Sequence, residues 1–291
     1  MAKQHFEPGS STVEGFFNFM RERHRIYLKR FTMDQPKPWT DDPIFQQWKF
    51  TNVFRQLDHG TRVLHMALRH ERDFTKIVWN VWWYRLFNWH EHMTDFGVLE
   101  HSTKDYSKLI NGLKAKAYRG DKVFTSAHMT TGVFAEDKVD TYIRAVKHAA
   151  DYAPYIADIA LSTQSMERVF EELLEFYMIG KFVSYEIVCD LRFFHGFEPT
   201  DAMTWANIGP GAKRGLRRLG KSVDLDNMIA LMNQFADEEA ENIDGPFYPH
   251  MFCSMYPPFE LREIEHSLCE FDKYERIRLG QGRPRQKYKG I

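Results

Sequence analysis

Residues 13–31 read VEGFFNFMRERHRIYLKRF. Phe16, Phe17, Met20, His24, Tyr27, Leu28 and Phe31 recur at spacings of three and four, which places one apolar stripe on a helix whose other faces are charged. Ser11 and Glu14 fit the S-x-x-E capping box, so Ser11 is the expected N-cap. QPKPWTDDP then halts the helix with three prolines in nine residues. Thr40 or Asp41 is expected to cap the next helix, with Pro43 in its first turn.

The same period continues outward. Residues 44–70 carry a helical pattern, and the charges from His70 to Asp73 break it. Residues 74–93 are aromatic and of helical length. YSKLINGLKAK, VDTYIRAVKHAADYAPYIADIAL, MERVFEELLEFYMIGKFVSYEIVCDLRFF, NMIALMNQFADEEAEN and PFELREIEHSLCEFDKYERIRL also read as helices. DKVFTSAHMTTGVF suits a short hairpin or a loop. No 20–50-residue repeat and no alternating strand–helix rhythm interrupts this, so the expected fold is all-α, one domain over residues 1–291 with a basic tail at 280–291.

Composition narrows the function classes. With 43% hydrophobic residues, 17 Gly and 12 Pro in 291, the chain is neither disordered nor low-complexity. Three cysteines without a C-x-x-C argue against a disulfide scaffold and for a reducing compartment. IVWNVWWYRLFNWHEHM is broken by Asn80, Arg85 and Asn88, so no membrane span is expected. The formal charge is −1, yet residues 21–30, 212–221 and 273–291 hold five, five and seven Lys/Arg. Charge segregated in this way suits a polyanion on one face.

Four motifs bear on chemistry. Residues 215–222 match G-x-x-x-x-G-K-[ST], but no apolar strand precedes them, so a phosphate-binding P-loop is not expected. Ile208–Leu216, with Gly209 and Gly211, reads instead as an h-G-x-G turn between two helices, the first being TDAMTWAN capped by Thr200 or Asp201. Its amides would meet a DNA phosphate, with Lys213, Arg214, Arg217 and Arg218 beside it, as in a helix-hairpin-helix. The histidines lack metal-ligand spacing, so no resident metal or cofactor is expected; a transient Mg²⁺ carried by a substrate phosphate leaves no sequence trace. Two polar strings interrupt apolar helices: Asn52, Arg55 and Asp58 in the first, and Glu263–Tyr274 in the second. There Glu265, Cys269 and Asp272 share one face, and Glu263, Ser267 and Glu270 another. Such faces supply a general base or a structural ion-pair network.

FFNFMRERHRIYLKR, PWTDDPIFQQWKFTNVFRQLDHGT, TSAHMTTG, IGPGAKRGL and IEHSLCEFDKYERIRLGQGRPR together resemble a bacteriophage DNA-hypermodification family, the α-glutamyl/putrescinyl-thymine pyrophosphorylases or amino acid:DNA transferases. A related helical domain accompanies phage 5-hydroxymethyluracil DNA kinases. The resemblance implies an all-α, DNA-glycosylase-like fold with a helix-hairpin-helix, acting in the cytoplasm of the infected bacterium. It implies double-stranded phage DNA with a modified thymine and a free amino acid as partners, alongside other DNA-modification enzymes. It does not carry kinase activity over, because the kinase fusions add a P-loop domain. The expected reaction displaces (pyro)phosphate from a 5-methylene with the amine of glycine or serine. Candidate catalytic residues are Asp42, Asn52, Arg55, Asp58, Glu265, Asp272 and Lys273. Candidate substrate residues are Trp39, Arg62, Thr125, His128, Arg262 and Arg276. Two alternatives remain: an N-glycosylase on the same kind of fold, with Asp224 or Asp226 after the hairpin, and a non-catalytic DNA-binding module that needs no polar faces around Asn52 and Asp272.

Overall fold

The computed structural model describes residues 11–125, 138–247, 251, 259–282 and 287–288. Among these every regular element is helical: α1 (Val13–Tyr27), α2 (Pro43–Gln47), α3 (His59–Leu68), α4 (Phe74–Phe87), α5 (Glu91–Phe96), α6 (Thr103–Tyr118), α7 (Lys138–Thr163), α8 (Met166–Leu174), α9 (Lys181–Leu191), α10 (Pro210–Arg218), α11 (Leu225–Glu241) and α12 (Leu261–Arg278). A lone β-bridge joins Trp48 and Lys287. No helix among the described residues is long and apolar enough to cross a membrane. The chain gathers into two compact units, one from Met1–Arg55 with Ala202–Ile291 and the other from Gln56–Asp201.

In the first unit the apolar stripe of α1 meets α11 and α12. Phe16 and Phe19 pack edge-on against Phe271, and Phe17 against Phe235, with ring centroids 5.0–5.7 Å apart. The N-cap of α1 is Thr12, whose hydroxyl accepts from the Gly15 amide at 3.1 Å. Ser11, the expected cap, instead donates its hydroxyl to Glu275 at 2.7 Å. Asp42, rather than Thr40 or Asp41, caps α2, and Pro43 takes the first helical position as expected. The helix expected over 44–70 is broken. Residues 48–52 lie outside any helix, Arg55–Leu57 form a 3-10 turn, and α3 starts at His59.

The second unit is built around α4, which carries apolar residues on every side and is buried from Ile77 to Phe87. Ala145, Ala149, Ala153 and Ala160 of α7 are buried, which suits close approach to its neighbours. Asn80, inside the aromatic run, satisfies all its polar atoms. It donates to the Lys76 and Leu99 carbonyls at 2.8 and 2.7 Å and accepts from the Leu99 amide and Trp83 Nε1 at 2.9 and 3.1 Å. Arg85 donates through Nε and Nη2 to buried Asp190 at 2.5 and 2.9 Å. Burial raises the Asp190 carboxyl, but the Arg85 charge overrides it and holds the group far below the carboxylate range. Asn88, in the left-handed region at φ 49°, ends α4. The expected helix over 166–194 is two helices, α8 and α9.

TDAMTWAN is also not a helix: residues 200–204 form turns and 205–209 are irregular. Asp201 does not cap a hairpin helix. Its carboxylate accepts from the Ser165 hydroxyl and the Met166 and Glu167 amides at 2.7–3.0 Å, at the start of α8. The helix expected before the glycine turn is therefore missing, because its capping residue is used elsewhere.

Candidate functional site

Helix α12 organises the first unit. Its first turn is closed by a capping box, with the Glu260 amide donating to Glu263 Oε2 at 3.1 Å. Glu265, Cys269 and Asp272 share a face, as their spacing predicts, and that face meets α10. Glu265 Oε1 accepts from the Gly209 amide at 3.0 Å. A Cβ on Gly211 would fall 2.1 Å from Cys269 Sγ, and one on Gly215 would fall 2.5 Å from the Leu268 carbonyl oxygen. The two glycines thus bring the α10 and α12 backbones into close contact.

This corrects the phosphate reading of the turn. The Gly209 amide is occupied by a carboxylate of the same chain, and Gly211 faces Cys269 rather than solvent. The P-loop string runs across the end of α10, where Gly220 at φ 68° terminates the helix, so no nucleotide loop exists there.

Asp272 is fully buried and faces three guanidinium groups. Arg214 Nε and Arg218 Nε lie 2.7 and 2.8 Å from its oxygens, and Arg276 Nε 3.3 Å. Arg218 also donates to Gln281 at 2.9 Å. The side chains of Arg214 and Arg276 are 48% and 36% exposed, and their terminal nitrogens hold no partner among the described residues. Lys213 and Arg217 are exposed on the same helix. One inward carboxylate thus orients a set of outward cations. This arrangement leaves Asp272 poorly placed to take a proton from a substrate, because its oxygens are already held by charged donors.

The opposite side of α12 borders a narrow crevice, lined by Phe19, Arg23, Thr51, Asn52, Val53, His266, Ser267 and Glu270. Its walls stand too close for a water-sized sphere. Glu270 Oε2 accepts from the Thr51 amide at 3.0 Å and from Lys273 Nζ at 2.6 Å. Burial pushes the Glu270 carboxyl up, but the Lys273 charge and these bonds override it and hold it below its ordinary value. Lys273 Nζ also sits 4.6 Å over the Phe50 ring. Buried Asn52 accepts from Arg23 Nη2 at 2.6 Å, and Arg23 Nε donates to the Thr51 carbonyl at 2.9 Å. The crevice thus combines one cation, a carboxylate, an imidazole, two hydroxyls and an amide, with Lys273 bonded to the carboxylate, a set able to exchange protons.

The remaining candidates scatter. Asp42 is spent on structure: it caps α2 through the Ile44 and Phe45 amides at 2.7 and 3.2 Å and accepts from the Tyr274 hydroxyl at 2.6 Å. Arg262 is buried with Nη2 2.8 Å from Glu263, so its charge is matched within the first turn of α12. Arg55 is half-buried at the 3-10 turn. Asp58, Arg62 and Thr125 belong to the second unit: Asp58 precedes α3, Arg62 is exposed on it, and the Thr125 amide donates to the Phe87 carbonyl at 3.2 Å. His128 lies outside the described residues. Of the two acids of the glycosylase alternative, Asp224 caps α11 by accepting from the Asn227 amide at 2.8 Å, and Asp226 lies in the first turn of that helix. Among the described residues no three of His, Cys, Asp and Glu gather as a metal site. Sequence reasoning passed over Arg23 and His266. Arg23 was hidden within a basic run, although Arg23 and Phe19 recur at i and i+4 on one side of α1.

The chain resembles known proteins along most of its length. A family model described as "5-hmdU DNA kinase, helical domain" matches residues 10–283. The chain is 27% identical to the 5-hmdU DNA kinase of Bacillus phage SP10 over 92% of its own length, but spans only 45% of that relative. No solved structure matches it. An all-helical fold and a match over nearly the whole sequence agree: the chain belongs to the family of the 5-hmdU DNA kinase helical domain.

Proposed function

We propose that this chain acts in hypermodification of phage DNA, transferring an amino acid, glycine or serine, onto phosphorylated or pyrophosphorylated 5-hydroxymethyluracil. The bond from the 5-methylene carbon to the (pyro)phosphate oxygen breaks, and its electron pair leaves with the phosphate. A bond forms from that carbon to the amine nitrogen, and the surplus amine proton passes to a base. The site of the reaction is the crevice beside α12, and its mixed polar lining is the observation that carries the reading.

Each group has a chemical task. Lys273 and Arg23 offset the leaving charge. Asn52 orients the uracil edge. Glu270, held ionised, attracts the incoming ammonium, and the His266 imidazole, on the same crevice wall, takes the proton. A carboxylate with a depressed pKa is a weak base, so Glu270 binds rather than abstracts. The target base leaves the duplex to be reached, and the crevice, too narrow here for a water-sized sphere, must open to admit it. Arg214, Arg217, Arg218, Arg276 and Lys213 hold backbone phosphates, with Asp272 as the group that positions the arginines. No resident metal is invoked; a Mg²⁺ would arrive with the substrate phosphate. The relative's printed name, a phage 5-hmdU DNA kinase, supports this choice of modified nucleoside, and the proposal includes action in the cytoplasm of the infected host.

The test is duplex DNA carrying phosphorylated or pyrophosphorylated 5-hydroxymethyluracil, incubated with the protein and mixed amino acids, then digested for nucleoside mass spectrometry. The expected product is 5-hydroxymethyluracil heavier by one amino-acid residue, lost in His266→Ala. An abasic product would move the assignment to a glycosylase. DNA bound but unchanged with both acceptors would leave a binding module.

A further inference from the structure

Beyond α1 the backbone enters a π-helical turn, Leu28–Thr32, a form frequent at functional positions. It is followed by exposed residues 33–38, with Asp34 left-handed at φ 47°. This segment meets Tyr288, whose amide donates to the Gln47 carbonyl at 2.9 Å. The Arg30 guanidinium lies 4.5 Å from the Phe31 ring, 5.2 Å from Trp39 and 5.8 Å from Tyr288. The Lys37 ammonium lies 5.3 Å from Trp39 and 5.6 Å from Tyr288, and the two rings stand edge-to-face at 6.2 Å. Phe31 is 53% exposed, and Tyr288 is half-buried, its hydroxyl covered and without a hydrogen-bond partner among the described residues.

These aromatics interleave with cations at a surface instead of closing into a core. Lys29, Arg30, Lys37 and Lys287 outnumber the nearby Asp34 and Asp41. Flat rings flanked by positive charge are what a single nucleotide requires, since its base stacks and its phosphate seeks a cation. An acidic peptide would use the charges and leave the rings without purpose. We propose that the Arg30–Trp39–Tyr288 surface holds an unpaired nucleotide of the DNA substrate, with the base stacked on Trp39, the Tyr288 ring edge-on beside it and the phosphate between Arg30 and Lys37. The inference rests on the reading of the chain as a DNA-modifying protein.

The experiment compares fluorescein-labelled duplexes with the full chain by anisotropy at fixed salt: one fully paired, the other with a single unpaired thymine. Trp39→Ala is expected to weaken binding of the bulged duplex about tenfold or more, and of the paired duplex less than twofold, with Trp39→Phe restoring most of the loss. Tyr288→Ala, on a separate segment, is expected to repeat that selectivity, which guards against a misfolded variant. Equal loss on both duplexes, or none on either, overturns the proposal. So does polyglutamate binding with the same Trp39 dependence, which would make the surface a protein-docking site. The transferase reading fails separately. Selective Trp39-dependent binding without an amino-acid adduct keeps this inference and removes the transfer, whereas an adduct without that selectivity does the reverse.

Discussion

Replacing Gly215 with alanine sets two effects of opposite sign against each other. Gly215 lies within α10, and in a helix interior alanine is favoured over glycine by about 1 kcal/mol. Propensity alone therefore predicts a more stable protein. The added Cβ, however, would sit 2.5 Å from the Leu268 carbonyl oxygen and 3.0 Å from its carbon and Cβ. Two of these three atoms are main-chain atoms of α12, so no rotamer change relieves the clash. Restoring ordinary contact requires α10 and α12 to separate by roughly 1 Å, and overpacking of this kind costs about 1–3 kcal/mol, occasionally more. The backbone contact puts this case at the upper end, so we expect a net loss of about 1–2 kcal/mol after the propensity gain. That corresponds to a fall of about 2–6 °C in Tm, read by circular dichroism at 222 nm and confirmed by a urea midpoint at unchanged slope. The separation also draws Arg214 and Arg218 away from Asp272, so DNA affinity falls with stability. A rise in Tm would refute the reasoning, because it would mean that the two backbones do not approach closely at this glycine.

Three further outcomes follow from the same geometry. Asp272→Asn removes a negative charge, yet is expected to weaken DNA binding because the arginines lose their common anchor; tighter binding, measured as a function of salt, would show the carboxylate to be only a repulsive charge. Its stability cost is expected near 2–3 kcal/mol, discounted from that of a fully buried pair because two of its partners are partly exposed. Tyr274→Phe removes the buried hydrogen bond to the Asp42 carboxylate and should cost about 1.5–3 kcal/mol while leaving turnover intact; lost turnover at full stability would return Asp42 to the catalytic set. Glu270, with its carboxyl held below its ordinary value, stabilises the fold above the unfolded pKa, and that contribution disappears as pH falls through the folded one. Wild type should therefore exceed Glu270→Gln in urea stability at pH 7 and lose that margin in acid; a margin constant with pH would exclude the charge as its source.

The sequence pattern locates most helices, because α1, α7, α11 and α12 carry their apolar stripes at the proper period. It misplaces caps by one residue. Thr40, Asp41 and Asp42 are all competent caps, and only the extended backbone of Asp42 decides among them. It also carries a helix through residues 48–52, where the Thr51 amide is taken by Glu270, 219 residues away. Local periodicity contains no record of such a partner. At the site, spacing puts Glu265, Cys269 and Asp272 on one face correctly, but does not separate a face open to substrate from one packed on another helix. The readable clue was Gly211 and Gly215 at i and i+4, a small-residue pair that marks close helix contact. Asn52 lines the crevice and Lys273 reaches it only through Glu270; Arg23 and His266 join it through tertiary packing alone.

The reach of α12 bears on the order in which the protein assembles. Within one 18-residue helix, Leu268 meets Gly215, Glu270 holds Thr51, Asp272 gathers Arg214 and Arg218, Tyr274 holds Asp42, and Glu275 accepts from Ser11. The segment before Arg55 thus finds its anchors in residues synthesised more than 200 positions later. On the ribosome, Gln56–Asp201 forms a contiguous unit whose internal contacts are all available once Asp201 has emerged, whereas α1 and the loop around Asp42 must wait with their aromatic stripe uncovered. The long wait makes the early segment the part of the nascent chain most exposed to aggregation and to chaperone binding, and makes emergence of α12 the step that commits the first unit to its fold.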